Sequence, residues 1–449
     1  MATGEALICK LKNIASIPGA DNIVQANMFG ETVIISKDYK EGDLGLLFDC
    51  ESLVSEDYAR ENNLYRHSNL NKDTTKIGYL EDSRRIRAIK LRGIKCSAMF
   101  MQLSSLSYIS KSYPKEGVQL KEWEGKPICD KYVRPIRGGG HKNNKQIKRV
   151  QHVLNFPENG DTEQLLKSLH KLEQDNPLII TAKIHGTSCR VGVLPCTPRN
   201  WFKKILHKIF KISNTYKFVV GSRHVLKWVD GSVVDKQSSF YKDDIWTESA
   251  YQYFYGKLQP SEIIFYEIAG FLPDGASIMP SHSNEKLKNF MEKEEYKNFI
   301  KKYGTETVFS YGCRKDHPTY VDNGHAGLVK KSEYKIFVYR IAMVTEQGTL
   351  LDLSWPQIKN RCEQLGVNHV PEIDIIWPQN VDIKDEQFWL NLTEKEYNHF
   401  PMHIDEGIVV RQDGKNLKPT ILKSKKINFK ILEGIIKDTQ DFADLEESN

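Results

Sequence analysis

Six short segments hold side chains whose type and setting could do chemistry. The first is TAKIHGTSCRVG (181–192), where Lys183 follows an apolar run and precedes a glycine turn. A lysine held in apolar surroundings near other cations can present the free amine that nucleophilic attack requires. It can also simply snorkel from a strand end, and K-x-x-G recurs at Lys90–Gly93 and Lys301–Gly304, so the pattern alone carries nothing. In IIFYEIAGFL (263–272), Glu267 stands inside an apolar run. A carboxylate there needs a cation, a metal or a ligand hydroxyl, or else a core arginine. Glu406 precedes a second apolar run in DEGIVVRQ, as a ligand or as a solvated acid at the start of a strand. In TILKSKK (420–426), period-2 alternation points Lys423 and Lys425 to one side, which suits a polyanion or a charged edge strand. The same alternation pairs Phe337 with Tyr339 in IFVYR, as a stacking platform for a base or as core aromatics. Arg223 ends FVVGSR, where a guanidinium can reach a phosphate or remain a surface charge.

These residues must be positioned by sheets. From Leu178 onward, β-rich segments alternate with helix-like ones, which predicts an α+β domain built on antiparallel strands. Three stretches interrupt it: an amphipathic basic helix at 201–212, a charged helix near 284–303, and a loop at 314–332. TEQLLKSLHKLEQ (162–174) has helical spacing with Thr162 as its N-cap. Before this, residues 6–103 read as short strands (ALICKLKNI, IVQANMF, ETVIIS, GLLFD, RRIRAIKL, SAMFMQL), the pattern of a small β-barrel or sandwich. Between the two lies RPIRGGGHKNNKQIKR (134–149), a basic glycine-bearing linker without an acid.

The order Lys183, Arg223, Glu267, Tyr339, Glu406, Lys423/Lys425 resembles the six collinear motifs of covalent nucleotidyltransferases, the superfamily of ATP-dependent ligases and mRNA capping enzymes. KIHGTS is similar to the nucleophile motif, FYEIAG to the third, IFVYR to the base-stacking motif, and EGIVVR and LKSK to the last two. The resemblance spans about residues 150–434. With FPENGDTEQL before the nucleophile and a barrel-like N-terminal part, the chain most resembles the Deinococcus-type RNA ligases. His185 stands where most of the superfamily has Asp.

The resemblance implies an OB-like nucleic-acid-binding domain (1–130), a linker (131–150) and a nucleotidyltransferase domain (151–449). It implies an ATP-dependent RNA ligase working through a lysyl-AMP intermediate, with ATP as co-substrate and Mg²⁺ or Mn²⁺. Lys183, His185, Lys423 and Lys425 would be catalytic, and Gly186, Arg190, Arg223, Phe337 and Tyr339 would help bind the nucleotide. Glu267 and Glu406 would hold the metal through its waters. The partner would be nicked or broken RNA, or an RNA/DNA hybrid, with no membrane involved, and the protein would be a monomer. The alternatives are a GTP-dependent capping-type enzyme and a non-enzymatic binding protein. Arg84, Arg85, Arg87, Lys90 and Arg92, with Lys142, Lys145, Lys148 and Arg149, would contact duplex flanking the nick. Removing residues 1–130 would then abolish sealing and spare lysine adenylylation.

Composition agrees with this reading without supplying it. The 449 residues carry 64 Lys and Arg against 58 Asp and Glu, only mildly basic. Eight cysteines without a C-x-x-C pair exclude a ribbon-type zinc site and argue for a reducing, intracellular setting. No run of 18 apolar residues and no signal-peptide core is present.

Overall fold

The computed structural model describes residues 4–50, 52–87, 89–132, 151–153, 155–198, 215–230, 244–272, 275–315, 319–322, 328–331, 333–345, 347–414 and 418–435. In the N-terminal part the main strands are β1 (Ala6–Lys10), β2 (Ile23–Met28), β3 (Glu31–Ser36), β4 (Leu44–Asp49), β5 (Ser52–Val54), β6 (Ile89–Leu91), β7 (Ile94–Cys96) and β8 (Ala98–Gln102). β1, β4 and β8 form one antiparallel sheet, and β2 pairs with β3 in another. Alternation along β1 serves two cores. Leu7 and Cys9 join Val33, Leu47 and Phe100, while Ala6 and Ile8 join Leu46, Phe48 and Tyr58. Tyr58 lies on α1 (Glu56–Glu61), which Ser55 caps by accepting the Tyr58 N–H. The β2–β3 turn, Phe29–Gly30, has positive φ at both residues (54° and 71°), the geometry of a tight hairpin. A Cβ on Gly30 would lie 2.4 Å from Leu166 Cδ1, so the hairpin tip presses directly on the C-terminal part.

The C-terminal part is built on β9 (Leu178–Ala182), β10 (Thr187–Pro198), β11 (Thr215–Ser222), β12 (Glu262–Gly270), β13 (Tyr334–Val344), β14 (Gly407–Gln412) and β15 (Thr420–Lys425). One antiparallel sheet runs β11–β10–β12–β13, extended by Leu226–Val229 and Leu350–Asp352. The other runs β15–β14–β9, flanked by Glu163–Gln164 and Glu372–Ile376. The chain passes from the second sheet to the first through residues 183–186 alone. On β14, Ile408 and Val410 enter a core with Leu178, Ile180 and Leu422, which leaves Val409, Arg411, Lys423 and Lys425 for the opposite side.

Several elements differ from expectation. Residues 162–174 form no α-helix: Glu163–Gln164 pair in parallel with β15, and a single 3₁₀ turn follows at Leu169–Lys171. Edge pairing to β15 overrides the local helical spacing. The stretch read as a loop at 314–332 contains a two-stranded ladder, Thr319–Asp322 with Leu328–Lys331. The strand expected over RRIRAIKL is broken at Arg84, whose φ is +57°, leaving Arg85 in a single bridge to Leu53 and β6 in a hairpin with β7. The charged helix expected near 284–303 forms only over α2 (Lys293–Tyr303), opened by a Glu292/Glu295 capping box, while Asn284–Asn289 is a 3₁₀ helix. The basic helix expected at 201–212 and the linker cations Lys142, Lys145, Lys148 and Arg149 lie outside the described residues.

Candidate active site between the two sheets

Lys183 leaves β9 with its N–H bonded to the Gly407 carbonyl (3.0 Å), and its Nζ lies 2.8 Å from Glu406 Oε1. Glu406 is 2 % exposed, and among the described residues its Oε2 has no hydrogen-bond partner. Lys425 Nζ stands 3.8 Å from the same carboxylate and 2.9 Å from Glu433 on α3 (Ile427–Ile435). One buried carboxylate therefore faces two ammonium groups, with a third, Lys423, on the same wall.

His185 packs edge-on to Phe309 and Phe429 (centroids 4.7 and 5.0 Å) and donates its backbone N–H to Tyr311 Oη at 2.6 Å. Burial pushes the imidazole down to about 3, with Lys183 and Lys425 acting in the same direction against Glu433, so the ring is neutral at pH 7. Its Nδ1 lies 3.7 Å from Glu406 Oε2. Gly186 is required by space: a Cβ would sit 2.6 Å from the Ile268 carbonyl and 3.3 Å from Glu267 Oε2.

Glu267, mid-strand on β12, lies opposite Ser188 of β10. Tyr339 is the extra residue of a bulge in β13, because Phe265 pairs with Arg340 and Tyr266 with Val338. Its hydroxyl bonds Ser188 (2.9 Å) and Asn159 (3.3 Å). Arg223 pairs with Asp161, which Lys131 also approaches at 3.6 Å.

These groups share one cleft of about 280 Å³, in which Lys and Arg far outnumber Glu. It brings together Lys183, His185, Gly186, Arg223, Glu267, Tyr339, Glu406, Lys423 and Lys425.

Two expected nucleotide contacts fail. The Phe337 ring is 4 % exposed and covered by Tyr311 and Phe400 (centroids 5.6 and 5.8 Å), which removes it as a stacking surface. Arg190, 3 % exposed, donates to the Ser222 and Phe156 carbonyls (both 3.0 Å) and lies over the Phe156 ring.

The N-terminal cations divide as well. Lys90 faces Glu292 of the α2 capping box at 3.6 Å, Arg92 donates to the Gly19 carbonyl at 2.7 Å, and Arg87 reaches back toward Ser83 at 3.5 Å. Arg85 enters the cleft wall instead.

The cleft also holds residues that local reading missed. Arg340 is bidentate to Asp352 (2.5 and 2.8 Å), and Arg411 is held by Asp413 (2.7 Å). Arg411 closes the EGIVVR segment, where its strand-face alternation with Val409 could have signalled it. Lys430 and Glu433 come from a helix with no motif of its own.

No group of three or more His, Cys, Asp or Glu among the described residues is arranged to cage a metal. Of the three cleft carboxylates, Glu267 and Glu406, the latter with an oxygen lacking a hydrogen-bond partner among the described residues, instead suit a hard cation that keeps its waters. No helix among the described residues is long and apolar enough to cross a membrane.

A family model described as an OB-fold domain matches residues 6–103. No curated protein matches the chain. Among solved structures, a lysine-to-alanine variant of Naegleria gruberi RNA ligase with ATP and Mn aligns at a TM-score of 0.55 and 15 % identity, covering 95 % of this chain and 98 % of that one. The same ligase with PPi aligns at 0.55 and 17 % identity, covering 94 % and 96 %. The chain thus has the fold of those structures: an N-terminal OB-fold followed by antiparallel sheets of the ligase nucleotidyltransferase type, as expected.

Proposed function

We propose that this protein is an ATP-dependent RNA ligase of the Deinococcus-type group that joins 3′-OH and 5′-phosphate ends, acting on nicks in duplex RNA or RNA/DNA hybrid as a monomer. One observation carries the reading: Lys183 and Glu406 meet at 2.8 Å in a cation-rich cleft that Lys423, Lys425, Glu267 and Tyr339 enter from separate strands. The likeness to ligase structures solved with ATP, AMP, Mn and PPi supports it. Residues 1–130, 131–150 and 151–449 would be the OB domain, the linker and the nucleotidyltransferase domain.

Lys183 Nζ attacks the α-phosphorus of ATP. A P–N bond forms, the Pα–O–Pβ bond breaks, and pyrophosphate leaves. Glu406 Oε1 is positioned to accept the amine proton. Lys423 and Lys425 neutralise charge developing on the phosphoryl oxygens. Tyr339 provides the aromatic face for the base, and Arg223 braces the phosphate or sugar end. Glu267 and Glu406 would hold Mg²⁺ or Mn²⁺ through water, supplying positive charge that favours the free amine and screens the α-phosphate. AMP then passes to the 5′-phosphate, and the 3′-OH displaces it to form the phosphodiester.

Purified protein incubated with α-labelled ATP or GTP and run on a denaturing gel tests this. A band with ATP, absent in Lys183→Ala, is the expected result. Labelling by GTP alone would mean a capping-type enzyme, and no band from folded, AMP-free protein would leave a binding protein.

A further inference from the structure

Arg85 belongs to the N-terminal part, held by a single bridge to Leu53, yet its side chain lines the cleft of Lys183. It is 8 % exposed, and its guanidinium carbon lies 4.3 Å from the Tyr132 ring centroid. Among the described residues, its Nε and Nη1 are buried with no hydrogen-bond partner. The other cleft arginines each have a carboxylate partner, Arg223 in Asp161, Arg340 in Asp352 and Arg411 in Asp413, although Arg411 Nη1 is also left without a hydrogen-bond partner; Arg85 has no carboxylate partner among the described residues. Leaving buried guanidinium donors unmet is costly, so a fold that puts them on a cleft wall is built for an acceptor arriving from outside. The contact with the Tyr132 ring holds the guanidinium in place on the cleft wall, with Nε and Nη1 unmet. Charged N–H donors of this kind bond phosphate oxygens strongly. The neighbouring wall, with Lys131 and Lys430, is also cationic.

We propose that Arg85 is a phosphate-binding residue lent by the N-terminal part to the catalytic cleft, rather than a contact to flanking duplex. The inference rests on the proposed ligase reading for its ligand, a phosphoryl group of either the nucleotide polyphosphate or the strand's 5′ end.

The full-length chain is compared with Arg85→Gln and Arg85→Lys, using two binding probes that need no chemistry. Calorimetry with inorganic pyrophosphate reads the nucleotide source. Binding of nicked RNA with a 5′-phosphate against a 5′-hydroxyl reads the strand source. Arg85→Gln should weaken pyrophosphate binding at least about tenfold, or erase a 5′-phosphate preference of similar size, with Arg85→Lys recovering part of the loss. Whichever probe is affected names the source. If Arg85→Gln binds pyrophosphate and discriminates 5′ ends as the parent does, the proposal is overturned. Should Arg85→Gln fail to fold, Tyr132→Leu keeps the charge but removes its stacking surface, and should weaken the same probe; unchanged binding overturns the proposal equally. Absence of lysyl-AMP in the parent protein would sink the ligase reading while leaving the pyrophosphate comparison intact.

Discussion

His185 replaces a charged residue of the resembling superfamily with a neutral ring, and its enclosure explains how the site tolerates that. Packed against Phe309 and Phe429, it orders the turn after Lys183 by shape and by the Tyr311 hydrogen bond to its backbone. Its folded pKa, pushed to about 3, lies below the unfolded value near 6.5. The unfolded chain therefore binds the proton first, and stability falls as pH drops from about 6.5 toward 3. His403, also lowered by burial, adds to the same trend. His185→Gln should lose less stability between pH 7 and pH 5 than the parent, measured by urea unfolding at both values. Identical losses would mean that the ring is not buried neutral. His185→Ala opens a hole beside two aromatic rings and should cost about 2–4 kcal/mol and slow lysine adenylylation severely.

The elements that join the two parts of the chain are bolted by charge. At the end of β4, Asp49 meets Lys167 at 2.7 Å with both side chains under a tenth exposed, and Glu31 of β3 meets Lys430 of α3 at 2.5 Å. Phe29, in the hairpin turn, donates its N–H to Glu386 at 2.7 Å. Asp49→Ala leaves a buried ammonium without this partner and should cost about 3–5 kcal/mol, whereas adding Lys167→Met should restore most of it. A double-mutant cycle in denaturant measures this; additive losses would show that the pair is not coupled. Strand alternation was readable where strands are regular: Lys423 and Lys425 share the cleft wall as TILKSKK implies. It failed at Phe337 and Tyr339, because the rings that cover Phe337 come from residues 311 and 400 and the bulge at Tyr339 breaks the period. The helix expected at 162–174 failed for the same reason, an edge pairing to a distant strand.

For the whole molecule, the fold class and nine of the cleft residues were legible because collinear motifs mark them one strand at a time. The involvement of the N-terminal part was not, since nothing near Arg85 announces Tyr132 or a cleft made from elsewhere. Residues 1–130 also do more in the structure than present a surface to nucleic acid. Their loss would take Asp49 and Glu31 from Lys167 and Lys430 and Arg85 from the cleft wall.

The passage of the chain between sheets at residues 183–186 also has a kinetic consequence. Beside Lys183, β9 closes on β14, a strand from far along the chain; Thr181 meets the Val409 carbonyl across 228 positions. Contacts of such sequence separation carry a large loop-closure entropy and form after local hairpins such as β2–β3. On refolding from urea, circular dichroism should recover before the protein can be labelled by ATP. Simultaneous recovery would mean that the ladder around Lys183 forms with the earliest structure.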